Sequence, residues 1–425
     1  MKVVPMAKCD RTLSFIFPLF FLIGLTVISC AGDTGSGEIP VLKWYVLDER
    51  SGAFAEAALR CSQASKGAYR VVTAALPADA DQQREQIARR LAAGDSDIDI
   101  IGMDVIWTSE FSEAGWILPW TGVFEEQAKQ GRLAVAIDTV SFEKRLWAAP
   151  FTTNTQLLWY RKDRVARPPD TWSEMIDIAE SLGEHGTIQA QGERYEGLTV
   201  FFTSLLASAG ASVLDQTGEQ VSLAEKPTRN ALELMKRLAT STAVDSALST
   251  NRENQARLAF EAGDSSFMVN YTFVWASARQ NAPEVAAHMG WTRWPAVIPG
   301  KPSRVTIGGI NLGIGAYSRY PELAFRAALC LCSEQNQRLA AQKGGLPPTI
   351  EALYDDPEVR QALPFADTLR DTLKDAVQRP QTPVYNDISL AISHTLHPMR
   401  DIQPDKDVDQ LRTIINRAIR SEGLF

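Results

Sequence analysis

The chain has 425 residues, 45% of them hydrophobic and 22% charged, with a formal net charge of −8. That balance belongs to a globular protein and excludes a disordered, collagen-like or multi-span membrane chain. Residues 1–29 hold Lys2, Lys8 and Arg11 against Asp10 alone, so the remaining 396 residues carry −10. An acidic body repels phosphate backbones, which argues against a nucleic-acid partner.

The basic start is followed by an apolar run of 16 residues, Leu13–Ile28, with four phenylalanines and Pro18. It is shorter than the ~18–20 residues that span a bilayer comfortably and reads as a secretory h-region or a short membrane anchor. The run ends at Val27-Ile28-Ser29-Cys30, which resembles a bacterial lipobox. This implies a signal peptide over residues 1–29, lipidation of Cys30, a Gly/Ser-rich tether to residue 40 and a body held at the extracytoplasmic face of the membrane. Of the five cysteines, Cys61, Cys330 and Cys332 then belong to the body. An oxidising compartment favours one disulfide and one buried thiol, and spacing does not choose the pair. Cys330 and Cys332 diverge on a helix and make a poor metal pair.

From Val41 the pattern reads strand (Val41–Leu47), helix (Gly52–Ser65), strand (Tyr69–Ala75), helix (Asp81–Ala93), strand (Asp97–Met103). That order predicts a parallel α/β sheet. Ligands of such sheets meet the carboxyl ends of strands, here Leu47-Asp48-Glu49 and Met103-Asp104. Asp104 stands three residues before Trp107. Both read equally well as a helix N-cap and a core indole. Leu157–Tyr160 is a buried strand, and Pro168-Pro169 followed by Asp170 or Thr171 starts a helix over Trp172–Ser181. Helical periodicity runs through Leu232–Ala239 and Arg257–Glu261. Val305–Ile314 returns to strand, and Val408–Arg420 is a final amphipathic helix.

Several chemistries are absent as motifs. No phosphate-binding Gly-x-x-x-x-Gly-Lys-Ser/Thr loop and no Gly-x-Ser-x-Gly elbow occurs. Gly313 and Gly315 are too little for a dinucleotide loop. His394 and His397 lack the further ligands of a zinc site, so neither a metal nor a cofactor is expected.

Four separated segments, in order, are similar to the extracellular solute-binding proteins that feed carbohydrates to ABC importers: Leu146–Arg161, Pro168–Met175, Leu258–Trp275 and Pro321–Pro348. Within that family, Arg89–Trp116, Thr152–Arg161, Arg304–Gly309 and Arg379–Tyr385 resemble the mycobacterial trehalose-binding lipoproteins. Departures lie at Asn270-Tyr271-Thr272-Phe273, where those relatives carry a tryptophan, and in the loop Leu47–Ser51. The resemblance implies a two-lobed α/β fold of the type II periplasmic-binding-protein kind, each lobe a mostly parallel sheet flanked by helices around a hinge. Residues 41–150 are expected in one lobe, 151–300 in the other, and 301–425 return to the first, with C-terminal helices serving both. It implies a disulfide between Cys61 and Cys330 and a trehalose-like disaccharide as ligand. The partners it implies are a permease pair, a cytoplasmic ATPase acting through that pair, and the membrane through the N-terminal lipid. The protein is expected to work as a monomer.

A neutral disaccharide needs planar polar side chains for its hydroxyls and aromatic walls for its ring faces. The expected ligand-binding set is Gln83, Asp104, Trp107, Asn154, Glu196, Tyr271, Gly345, Leu346 and Arg379, with no catalytic residue. The alternative is a glycoside hydrolase acting through Asp104 and Glu196 as paired carboxylates. A purely structural surface protein would not need the tryptophan and asparagine cluster at strand ends.

Overall fold

The computed structural model describes residues 38–77 and 79–423. The signal peptide, Cys30 and the tether up to residue 37 lie outside the described residues. Strands Val41–Leu47 (β1) and Arg70–Leu76 (β2) pair in parallel over their full length, Val41 opposite Arg70 and Leu47 opposite Leu76. Helix Ala53–Ala64 makes the crossover between them, and helix Ala80–Ala92 precedes Ile100–Asp104 (β3), which runs parallel to β1 on its other edge. Alternation places Leu42, Trp44 and Val46 of β1 in the core, where Trp44 packs against Phe54 and Phe151.

A short hairpin, Ser141–Phe142 (β4) with Arg145–Leu146 (β5), leads into Ala148–Asn154 (β6). After Thr155 and Gln156 the chain enters Leu157–Arg161 (β7), the first strand of a second sheet. Thr187–Gln189 (β8), Ser265–Asn270 (β9) and Met289–Thr292 (β10) complete that sheet in the order β10-β7-β9-β8. Gly308–Ile314 (β11) then inserts between β3 and β6 of the first sheet, whose order is β2-β1-β3-β11-β6. The boundary expected at residue 150 therefore falls inside β6.

The insertion of β11 brings its neighbours' ends together. It is antiparallel to both, with Ile310 opposite Asp104 and Gly308 opposite Asn154. Gly309 sits there at φ +139°, and a Cβ would lie 2.2 Å from the Thr152 carbonyl oxygen, so only glycine fits this approach.

The second sheet is covered on both faces. Leu158, Phe267 and Val269 point into a core with helices Trp172–Ser181, Glu196–Ala209, Glu225–Thr240 and Tyr385–Leu396. Leu157, Trp159 and Met268 point the other way, against Phe260, Phe365 and Leu369. Helix Trp172–Ser181 starts at Thr171, whose hydroxyl accepts the Glu174 amide at 3.1 Å, the expected cap. Helix Glu196–Ala209 is buried at every position but its last.

Cys61 of helix Ala53–Ala64 is bonded to Cys330 of helix Pro321–Leu331, with Cα atoms 5.8 Å apart. Cys332 is free and buried, and burial pushes its thiol up to about 12. Among the described residues no helix is long and apolar enough to cross a membrane.

Candidate functional site

A cleft of about 1340 Å³ opens where β3 and β6 end, and side chains from both sheets' surroundings line it. Of the residues expected from sequence, Gln83, Asp104, Asn154, Glu196, Tyr271 and Arg379 meet there, with Leu346 at its edge. They arrive from seven separate parts of the chain. Asp104 and Asn154 end adjacent strands of the first sheet, Gln83 lies in the first turn of helix Ala80–Ala92, Glu196 opens helix Glu196–Ala209, and Tyr271 follows β9.

Two expected residues do not reach the cleft lining. Trp107 ends a 3₁₀ turn, Val105–Trp107, that directs its indole into the first core, where it stacks on Phe111 at 5.6 Å and is 1% exposed. The core reading of that tryptophan is the one the packing supports. Gly345 is the C-cap of helix Glu334–Gly344 at φ +64°, and its carbonyl accepts the Thr272 hydroxyl at 2.8 Å. Its place is to hold the Tyr271 loop. Asn270 holds the same loop from the other side, its Oδ1 accepting the Tyr271 amide at 2.8 Å.

Arg379 organises the floor. Its Nη1 donates to Glu196 Oε1 at 2.6 Å and its Nη2 to Asp104 Oδ1 at 3.0 Å. Tyr385 donates its phenol to Glu196 Oε1 at 2.5 Å, and the Ser389 hydroxyl donates to Oε2. Burial alone lowers an arginine's proton affinity, but Asp104, Tyr385 and Glu196 outweigh it, so the guanidinium stays charged. Burial raises the Glu196 carboxyl, opposed by Arg379, Ser389 and Tyr385. Burial, then the nearby Glu253, raises the Tyr271 phenol. Three buried polar atoms of cleft residues have no protein partner, the acceptor Asn154 Oδ1, the donor Arg379 Nε and the Tyr195 hydroxyl. A buried group left unpaired costs about 1–3 kcal/mol, so the first two favour a ligand that supplies both a donor and an acceptor, as a hydroxyl does.

Other cleft residues were not legible in the sequence. Tyr195 and Phe273 add aromatic surface, and Glu253 also lines the cleft, its carboxyl raised by burial. Arg252 holds Glu193 with Nε and Nη2, both at 2.7 Å, and also pairs with Asp79. No local motif marks Arg252, because its partners lie 59 and 173 residues away.

The family model described as bacterial extracellular solute-binding protein matches residues 70–338. The chain belongs to that family. A "Probable ABC transporter-binding protein" of Deinococcus radiodurans is 29% identical over 339 residues, covering 76% of this chain and 80% of the relative. The maltose-bound MalE3 structure of T. maritima is 25% identical with a TM-score of 0.81, covering 88% of this chain and 98% of that one. A solute-binding protein of Thermotoga lettingae bound with α-D-tagatose is 19% identical with a TM-score of 0.78, covering 89% of this chain and 100% of that one. The fold is the expected two-lobed α/β architecture of solute-binding proteins, with one sheet in each lobe. The sheets are mixed rather than mostly parallel, because β11 enters the first sheet antiparallel to both neighbours and β7 pairs antiparallel with β9 and β10 in the second. The family binds solutes outside the cell and is not a catalytic one.

Proposed function

We propose that this protein is the substrate-binding lipoprotein of an ABC-type sugar importer. It captures a neutral disaccharide, trehalose or a close analogue, and hands it to a permease pair driven by a cytoplasmic ATPase. The observation that carries this reading is the pair of unpartnered atoms, Asn154 Oδ1 and Arg379 Nε, on residues that line one cleft. A hydroxyl-bearing ligand pairs both, and Asp104 and Gln83 add further acceptors and donors. The sugars named with the structural neighbours, maltose and tagatose, support the ligand class.

In this reading the lobes are built on the first and second sheets, the crossing lies at Thr155-Gln156, and the return lies just before Gly308. Ligand contacts from both lobes favour a closed form, and only a difference in affinity between open and closed forms shifts that balance. Cys30 carries the lipid, and the protein acts as a monomer. The hydrolase alternative loses ground because Glu196 commits its oxygens to Arg379, Tyr385 and Ser389 and so is not free to protonate a leaving group as the acid of that pair.

The test is a thermal-shift screen against mono-, di- and oligosaccharides, followed by calorimetry. A ligand at 100 times its Kd adds about 2.7 kcal/mol to stability. A disaccharide in the panel, with trehalose foremost, is expected to raise the midpoint. Silence across the whole panel overturns the reading, and steady release of glucose from trehalose restores the hydrolase.

A further inference from the structure

We propose that Arg252 is a clasp across the mouth of the cleft, closing on Asp79 and so setting the affinity of the site without being required to touch the ligand. The proposal rests on the solute-binding reading above.

The geometry is that of a preset hook. Arg252 is the N-cap residue of helix Glu253–Glu261, on the second-sheet side. Glu193, on the same side, takes Nε and Nη2 in a fork with both distances 2.7 Å. The Tyr195 ring lies against the guanidinium, its centroid 4.6 Å away. These contacts leave Nη1 to reach Asp79, the N-cap of helix Ala80–Ala92, on the first-sheet side.

Asp79 is equally prepared. Its Oδ1 accepts the Gln82 amide at 2.9 Å as a helix cap, and its Oδ2 is the atom that meets Arg252. Each partner is therefore oriented by its own side of the cleft, and the bond between them exists only when the sides are together. Preorganisation of this kind lowers the entropy lost on pairing.

An interaction of opposite sense lies two residues along the chain. Burial, then the charges of Glu196 and Asp79, raise the carboxyl of Asp81 in the first turn of helix Ala80–Ala92. The turn holding Asp79 and Asp81 thus combines an attraction to Arg252 with a repulsion from Glu196. Opposed terms keep closure reversible, as a protein that must release its cargo requires. Observed affinity scales with the fraction of molecules able to close, so loss of the clasp weakens binding even with every ligand contact intact.

The experiment measures the Kd of the intact protein for trehalose, and separately for maltose, by calorimetry at low and 0.5 M salt (a chosen condition, about a 4 Å screening length). Wild type is compared with Arg252→Met, Asp79→Asn and the double variant. Asn retains a good helix N-cap, so Asp79→Asn is expected to fold. Each single change should weaken binding roughly two- to fivefold, the scale of one partly exposed ion pair. The double variant should be no weaker than either single, and the salt dependence of wild-type binding to an uncharged sugar should vanish in all three. Small-angle scattering of the sugar-free proteins should show each variant more open than wild type. If Arg252→Met keeps its full effect in the Asp79→Asn background, the clasp is overturned. If neither sugar binds any of the four proteins, the solute reading for these sugars fails by itself. Scattering then decides the clasp, and unchanged profiles overturn it.

Discussion

The Arg379 guanidinium and the Glu196 carboxylate meet at 2.6 Å with only 4% and 6% of their side chains exposed. Such a pair is expensive to take out of water, and its value depends on every remaining polar atom being matched. Tyr385 and Ser389 match Glu196, and Asp104 matches the second terminal nitrogen of Arg379. Arg379 Nε is the atom left over.

Arg379→Met is therefore expected to leave Glu196 buried without its counter-charge and to destabilise the protein by about 3–5 kcal/mol. Arg379→Lys keeps the charge but not the fork, and should recover part of that stability while binding sugar poorly. Denaturant unfolding and calorimetry on both variants check this.

Asn154→Ala separates binding from folding. Its Oδ1 makes no protein hydrogen bond, so the unliganded protein should unfold within about 0.5 kcal/mol of wild type. Affinity should drop by more than about 1 kcal/mol, because a ligand hydroxyl loses its partner. Asp104→Ala should weaken binding and also lower stability, since it removes a partner of Arg379. Equal stability losses for the two variants would contradict this division.

Asp81 gives the protein a pH signature. Burial, then the charges of Glu196 and Asp79, push its carboxyl up to about 6 from 3.8. The native state holds this proton more tightly than the unfolded chain, so Asp81 favours the native state below about pH 4 and loses that contribution as pH rises through 6. Asp81→Asn removes the charge and keeps the size of the side chain. It should be more stable than wild type at pH 7.5 by about 1–2 kcal/mol, and the gap should close toward pH 4. Thermal unfolding at the two pH values reads the difference.

The Cys61–Cys330 bond closes a sequence separation of 269 residues. Replacing both cysteines with serine should cost about 2–4 kcal/mol, and the midpoint of that variant should no longer respond to reducing agent. An unchanged midpoint on reduction of wild type would remove the disulfide from the stability of this fold.

Much of the architecture was legible because its signals are local. Val41–Leu47 and Trp172–Ser181 follow from β-rich alternation and from a Pro-Pro-Asp-Thr start, and both elements span those residues. Asp104 and Asn154 stood out as polar residues ending apolar strands. Trp107 carried the same positional signal and went the other way, because the direction of one 3₁₀ turn puts its indole against Phe111. The chain leaves the first sheet only after Asn154. Residues 152–156 are polar in sequence yet almost all buried, so their residue types do not show where the strand ends and the crossing begins.

By itself the sequence determined the order of strands and helices, the acidic body behind a basic leader, and the polar residue types that a sugar site requires. The tertiary structure alone decided which of them meet. Inserting β11 between β3 and β6 brings Asp104 and Asn154 to flank one short strand, and Arg379 joins Asp104 to Glu196 across 275 and 183 residues of chain. Arg252 and Asp79 are coupled in the same way. Periodicity reports only which face of an element is buried, whereas a charge pair depends on where two distant backbones come to rest.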